Sequence, residues 1–417
     1  MRILKLNSRN EKKLMAARLA HDASAERIAS RIVRDVRKRG DEALFSWTLK
    51  LDHCALRQEG VWICENELDA ARSQVKPEFL NALRHAIWNV RRVAERQMPR
   101  DWSVQVERGV RIRQMVRPIE SIGCYVPGGR FALVSTLVMT VVPAQVAGVG
   151  KIIVVCPKPS PELLVAARAL GLGKVARIGG AQAIAAMAYG THLIPRVEKI
   201  CGPGNRFVTA AKQLINADCA IDLPAGPTEA VVLADRGNAR WIAADLIAQA
   251  EHAPDAGSFL VTTSKALALR AAREVELQLR RLPFENPARV SMTRKGAILV
   301  AKSIEAACEF VNRFAPEHLS LPSSPASLLR RIRSSGTIFA GPWGAQTFGD
   351  YVSGSNHVLP TGGWAKRRGG LSAADFVKCI SVQEISRGGC LRLAKSAETL
   401  ADAEGLTGHR NAVKVRR

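Results

Sequence analysis

Four stretches of the 417-residue chain set an imidazole close to a carboxylate or an amide: Gln249-Ala250-Glu251-His252, Glu317-His318, Asp350 seven residues before His357, and Glu404 five residues before His409. Histidine takes and returns a proton near neutral pH, and an adjacent carboxylate can serve as a second base. The pair Glu317-His318, just after the helix-stopping Pro316, therefore suits an enzyme with two successive proton-dependent steps. Gln249 and His252, three apart at the end of a helix expected over 239–251, share nearly one face and could converge on one metal. Glutamine is an uncommon zinc ligand, however, and the same spacing also describes a polar helix end. Four of these eight side chains could form a mixed nitrogen and oxygen site for a borderline metal such as zinc, but spacing alone does not bring them together.

The elements that must position them change character along the chain. Residues 1–120 read mainly as charged amphipathic helices, with apolar residues at helical spacing over 24–38 and 77–97. His21, His53 and His85 read there as surface or helix-packing residues. From about 120 to 235, strands expected at 122–126, 151–156, 175–178, 197–201 and 219–223 alternate with helices, and glycine stands at the joints. This alternation predicts a parallel, doubly wound sheet whose strand ends and helix N-termini favour an anionic ligand. A dinucleotide is plausible on that ground, yet the G-x-G-x-x-G fingerprint is missing; Gly171-Leu172-Gly173 follows a helix, which is the wrong context. A second α/β segment runs from about 229 to 372. The glycine-bounded loop holding Asp350 and His357 has the composition of a functional loop. No internal repeat is visible.

Composition bounds the class. Hydrophobic content of 47% and charged content of 24% suit a globular protein with more than one domain. Lys+Arg number 61 against 37 Asp+Glu, a net charge of +24, but the basic residues are spread along the length without interleaved aromatics. That argues for a basic surface and no specific nucleic acid partner. Nine cysteines without a CxxC pair, several inside apolar runs, read as buried thiols in a reducing compartment. The apolar run 131–150 carries Ser135, Thr136, Thr140, Pro143 and Gln145, which favours a buried helix over a membrane span. No secretion signal is visible at the start, and a cytoplasmic location without membrane attachment is expected.

Taken in order, Tyr125-Val126-Pro127-Gly128-Gly129, Gly179-Gly180-Ala181-Gln182, Gly202-Pro203-Gly204-Asn205, Gln249-Ala250-Glu251-His252, Ala315-Pro316-Glu317-His318-Leu319, Gly349-Asp350-Tyr351, Asn356-His357-Val358-Leu359-Pro360 and Leu406-Thr407-Gly408-His409 resemble the segments of histidinol dehydrogenases over nearly the whole chain. The resemblance implies a zinc- and NAD-dependent oxidation of L-histidinol to L-histidine through an aldehyde, in histidine biosynthesis. It implies one Zn2+ per subunit, held by Gln249, His252, Asp350 and His409 and serving mainly to orient the substrate. His318 would take the hydroxyl proton and Glu317 would activate the water that attacks the aldehyde. Thr228, His357 and Glu404 would contact substrate together with His318 and the metal ligands, and Tyr125, Gln182 and Asn205 would follow the cofactor NAD. The family usually has serine where this chain has Thr228, and the +24 charge exceeds what such an enzyme would be expected to carry.

The fold so implied is two incomplete Rossmann-like doubly wound α/β domains with small terminal helical segments, exchanged in a homodimer. The expected boundaries are an N-terminal helical segment 1–19; a first domain of 20–123 and 229–372 with the catalytic pair and most metal ligands; a second, NAD-side domain 124–228; and a segment 373–417 serving the partner subunit's site. A related dehydrogenase of another small polar alcohol, or a polyanion-binding protein without catalysis, would be the alternatives.

Overall fold

The computed structural model describes residues 1–18, 22–128, 133–223, 226–323 and 326–417. His21, Gly129, residues 131–132 of the apolar run and the Pro224-Ala225 turn lie outside the described residues. Fifteen strands form three sheets. In chain order they are β1 (Arg2–Lys5), β2 (Trp62–Cys64), β3 (Trp102–Glu107), β4 (Val110–Pro118), β5 (Ser121–Tyr125), β6 (Lys151–Val155), β7 (Lys174–Ala176), β8 (Lys199–Cys201), β9 (Ala220–Ile221), β10 (Glu229–Leu233), β11 (Gly257–Thr262), β12 (Ala297–Val300), β13 (His318–Leu321), β14 (Thr337–Ala340) and β15 (Val377–Ile385).

The first six-stranded sheet has the order β1-β12-β11-β10-β13-β14 and is parallel throughout. The second has the order β2-β7-β6-β5-β8-β9 and is parallel except for β2. In each, the chain runs from a central strand, β10 or β5, through two strands on one side and then crosses back to place two on the other, while an earlier strand, β1 or β2, adds the outer edge. Both are therefore doubly wound about a switch point, between β10 and β13 in one and between β5 and β8 in the other. All five residues of β10 and all five of β5 are buried, as central strands covered on both faces must be. The expected α/β class holds, and the two sheets repeat one topology that no sequence repeat announced.

Residues 1–120 are less helical than their periodicity suggests. They contribute β1 to the first sheet, β2 to the second, and the hairpin β3–β4, which pairs with β15 in a separate antiparallel sheet. The helices expected over 24–38 and 77–97 form as Ala23–Arg39 and Pro77–Gln97. Their apolar faces, with that of helix Asp41–Asp52, pack into the cores around β5–β8. This differs from the expected grouping of 20–123 with 229–372. An amphipathic pattern specifies a buried face and says nothing about which sheet that face covers. The run at 131–150 contains the buried helix Val134–Ala147, and no helix among the described residues is long and apolar enough to cross a membrane. Cys124, Cys156, Cys201, Cys219 and Cys308 are buried thiols, whereas Cys54, Cys64 and Cys379 are exposed.

The C-terminal edge of the second sheet is held by a buried ion pair. Lys212 and Asp222 form a salt bridge with both side chains sealed from solvent, and Lys212 Nζ also donates to the Gly202 carbonyl at 2.9 Å. Asp222 Oδ2 accepts from the Gly202 amide at 2.8 Å. Gly202, at φ 110°, lies so close to β5 that a Cβ would stand 2.1 Å from the Tyr125 carbonyl oxygen, so no side chain fits there. Removing one partner of such a pair leaves a buried charge, at a cost of about 3–5 kcal/mol. Lys212→Met should lower stability by that amount in urea unfolding, and Lys212→Met with Asp222→Asn should recover most of it. Equal losses in the single and double variants would show that the pair is not what holds the loop.

Candidate active site

The residues with chemical potential gather where the N-terminal edge of the first sheet meets the start of helix Val134–Ala147. Helix Ile304–Phe314 ends at Ala315, a non-glycine residue in the left-handed region at φ 50°, and Pro316 prevents the helix from continuing. The chain then enters β13 at His318, beside β10, with Ala230 opposite His318. Glu317 is thereby placed at the mouth of β10. Its Oε2 accepts from the Glu229 amide at 2.9 Å and from the Thr228 hydroxyl. Thr228 Oγ1 in turn accepts from Gln249 Nε2, and Gln249 Oε1 accepts from Gln346 Nε2 at 3.1 Å. On the other side Gly336 passes so near that a Cβ would lie 2.5 Å from the Glu317 carbonyl oxygen.

His318 is only 3% exposed and lies between two carboxylates: Nδ1 is 3.7 Å from Glu317 Oε2 and Nε2 is 3.6 Å from Asp350 Oδ1. Both distances exceed hydrogen-bond length, so neither ring nitrogen has a bonding partner among the described residues. Phe339 stacks on the ring at 5.9 Å between centroids and fixes its plane. Asp350 comes from helix Gln346–Tyr351, and its carbonyl is 2.9 Å from His357 Nδ1, while His357 Nε2 lies 3.1 Å from Thr136 Oγ1. Asn356 anchors that loop by donating to the Met139 carbonyl at 2.7 Å.

The electrostatics follow from burial and neighbours. Burial raises the Glu317 carboxyl, with His318 and Thr228 opposing. Burial pushes His318 down, but the charges of Glu317 and Asp350 outweigh it and leave the imidazole above its usual value. Burial also works against the Asp350 carboxylate, yet the facing histidines hold it below the usual range. His357, desolvated with only weak compensation, is lowered. The cluster can thus hold a proton between an imidazole and two carboxylates, the equipment of an acid–base site.

Of the expected residues, Thr228, Gln249, Glu317, His318, Asp350 and His357 come together. His252 stands just past the end of helix Ala239–Ala250, exposed, with its amide on the Gln249 carbonyl at 3.3 Å and its charge within reach of Glu317 and Asp350. Glu404 and His409 are not brought in. Both are exposed, at the end of helix Arg387–Ala403 and within helix Thr407–Lys414, and no hydrogen bond or ion pair among the described residues ties them to the cluster. The tail is nevertheless helical and not frayed.

Tyr125, Gln182 and Asn205 lie at the C-terminal edge of the second sheet. Tyr125 Oη accepts from the Gly180 amide at 3.1 Å, and burial pushes the phenol up to about 12. Gln182 is fully buried, donates to Asp52 Oδ2 at 3.1 Å and leaves its Oε1 unpaired. Asn205 caps helix Arg206–Ile215 by accepting from the Phe207 and Val208 amides. Among the described residues no three His, Cys, Asp or Glu side chains stand as a ready metal cluster. One chain offers the Gln249 amide oxygen, the exposed His252 imidazole and the Asp350 carboxylate, an oxygen and nitrogen set that fits a borderline divalent metal but is one donor short.

Nothing local marks out Arg18 among the 61 lysines and arginines. Its guanidinium pairs with the Glu229 carboxylate, donates to the Phe314 carbonyl and lies 3.6 Å over the Phe314 ring, so it clamps the turn before Glu317 from behind. Gln346 and Thr136 were equally silent. Glu229 was findable only as the neighbour of Thr228.

A model of the family described as "Histidinol dehydrogenase" matches residues 16–417. The chain is 42% identical over 427 residues to the histidinol dehydrogenase of Geobacter sulfurreducens, with both proteins covered completely. It is 43% identical to that of Methanosarcina barkeri, over 93% of this chain and 90% of the relative. The crystal structure of histidinol dehydrogenase from Elizabethkingia anophelis superposes with a TM-score of 0.94 at 35% identity, covering 100% of this chain and 97% of that one.

Burial lifts the Glu229 carboxyl to about 7, against the pull of Arg18. The folded chain then keeps a proton that the unfolded chain releases near the ordinary value of 4.5, so stability falls as pH rises from about 4.5 to about 7. Glu229→Gln has no such titration. Relative to wild type, the variant should gain about 3 kcal/mol across that window in urea midpoints taken at stepped pH. A constant difference at every pH would show that Glu229 is ionised throughout.

Proposed function

This chain belongs to the histidinol dehydrogenase family, oxidoreductases that serve histidine biosynthesis by oxidising histidinol, and from that premise we propose that it performs the full four-electron oxidation of L-histidinol to L-histidine through the aldehyde, with zinc and NAD. The observation that carries the reading is His318, a buried imidazole with two unbonded nitrogens between two carboxylates.

Gln249, His252 and Asp350 would hold the zinc, with His409 as the fourth donor. Bound there, the metal supplies a fixed anchor for the substrate's nitrogens, and orientation of that kind is a large contribution to rate. The exposure of Glu404 and His409 supports a second copy's tail as the completing element. So do the solvent-facing apolar side chains of the antiparallel sheet and tail, among them Trp102, Val106, Leu400, Leu406 and Val415. A homodimer with exchanged C-terminal segments would cover them. NAD would lie along Tyr125, Gln182 and Asn205 and accept the hydrides.

In the first oxidation His318 takes the hydroxyl proton, which its neutral imidazole can do because no neighbour occupies its nitrogens. Asp350 and Glu317 stabilise the imidazolium that results. In the second, Glu317 takes a proton from water as the water oxygen bonds to the aldehyde carbon. Its burial makes it a stronger base than an exposed carboxylate, and the Thr228 hydroxyl and Glu229 amide orient the accepting oxygen. His357, seated on Thr136, and Glu404 of the exchanged tail would complete the substrate's surroundings. The α/β unit 124–228 would carry the NAD side, and the C-terminal segment 373–417 would act in the neighbouring site. Thr228 adds a methyl beside Gln249 and Glu317, which favours testing a related small polar alcohol as the alternative substrate.

NADH formed per L-histidinol consumed should be two, abolished by a chelator and restored by zinc. Glu317→Gln should slow the second step by about 10²–10⁴-fold, so that aldehyde accumulates with one NADH. His318→Ala should slow the first step by a similar factor. One NADH from the unmodified enzyme would remove the role of Glu317, and turnover of another alcohol in preference to histidinol would transfer the assignment to that substrate.

A further inference from the structure

The first sheet places its catalytic pair at the N-terminal edge, which leaves the opposite edge of the switch point between β10 and β13 unassigned. Open doubly wound sheets bind ligands at that C-terminal edge. A narrow cleft of about 40 Å³ lies there, lined by Asn238, Trp241 and Asp245 from the N-cap and first half of helix Ala239–Ala250, by Ser320 of β13, and by Gly341 and Gly344 after β14. Its polar groups are short of donors. Ser320, only 2% exposed, has no hydrogen-bond partner for its Oγ. The Asp245 carboxyl has none among the described residues, and burial alone raises it to about 6. A buried hydroxyl is rarely left unpaired, and with the half-buried Asp245 carboxyl on the same cleft it suits a ligand that donates hydrogen bonds. Trp241 forms an adjoining wall and is itself packed on Trp343 at 5.1 Å between centroids. An indole face beside a carboxylate suits a cation with an apolar stem.

We propose that this cleft binds a small primary ammonium, with its N–H groups on the Asp245 carboxylate and the Ser320 hydroxyl and its apolar stem against Trp241. The site is distinct from the catalytic cluster yet mechanically close to it. Asp245 is one helical turn before Gln249, and Ser320 is two residues after His318 on the same face of β13. Gln346 Nε2 donates to the Asp245 carbonyl at 3.0 Å and to Gln249 Oε1 at 3.1 Å, so one amide links the two places. The proposal does not depend on the oxidation chemistry assigned above, since none of its lining residues takes part in it.

The test titrates propylammonium into the full-length protein and follows tryptophan fluorescence and saturation-transfer NMR of the ligand's methyl group, with propanol as the neutral counterpart. Saturable binding of propylammonium without binding of propanol is expected. Asp245→Asn should weaken it about tenfold or more, the size of one charged hydrogen bond. Trp241→Ala, at a half-exposed surface position, should weaken it as well and guards against misfolding of the Asp245 variant. Glu317→Gln should leave the affinity unchanged. Equal affinity in wild type and Asp245→Asn, loss of binding in Glu317→Gln, or no saturable binding would each overturn the proposal.

Discussion

Burying a carboxylate beside an imidazole is the constraint around which this molecule is arranged. Glu317 and His318 sit in a low-dielectric place where an unpaired charge costs several kcal/mol. The fold meets that cost with fixed partners: the Glu229 amide and the Thr228 hydroxyl donate to Glu317, and the Asp350 carboxylate faces His318. The two donors come from the adjacent residues that open β10 and the facing carboxylate from helix Gln346–Tyr351, so the pair is stable only when β10, β13 and that helix are all in place. Arg18, from the first helix, closes the rear of the same turn through Glu229 and the Phe314 carbonyl. Stability and chemistry therefore rest on the same contacts, and the two free nitrogens of His318 are the part left unsatisfied for use.

The two sheets show how one topology serves two purposes. The second sheet uses its C-terminal edge in the ordinary way, with glycine joints, a helix capped by Asn205 and a loop pinned by Lys212 and Asp222. The first sheet turns its N-terminal edge toward the start of helix Val134–Ala147, and Thr136 meets His357 across that junction. This opposition brings the Glu317–His318 cluster of one sheet toward the glycine-jointed edge of the other. It also leaves the first sheet's own C-terminal crevice, with Ser320 and Asp245 on its wall, apart from the catalytic cluster.

What the sequence determined by itself was local chemistry and local period. The Glu317-His318 pair, the glycine joints at 179 and 202, the helix over 77–97 and the strand–helix alternation all depend on residues within a few positions of one another, and side-chain period and turn chemistry act at that range. The ordered set of short motifs identified the family for the same reason, since each motif is local and only their order is global. What the tertiary structure decided was everything that long sequence separation hides. It turned helices within 20–123 onto the second sheet, put Arg18 behind a turn about 300 residues away, and seated His357 on Thr136. It also left Glu404 and His409 on the surface, since a tail that finds no partner in its own chain remains exposed. Periodicity states that a face must be buried; only the packed chain states against what.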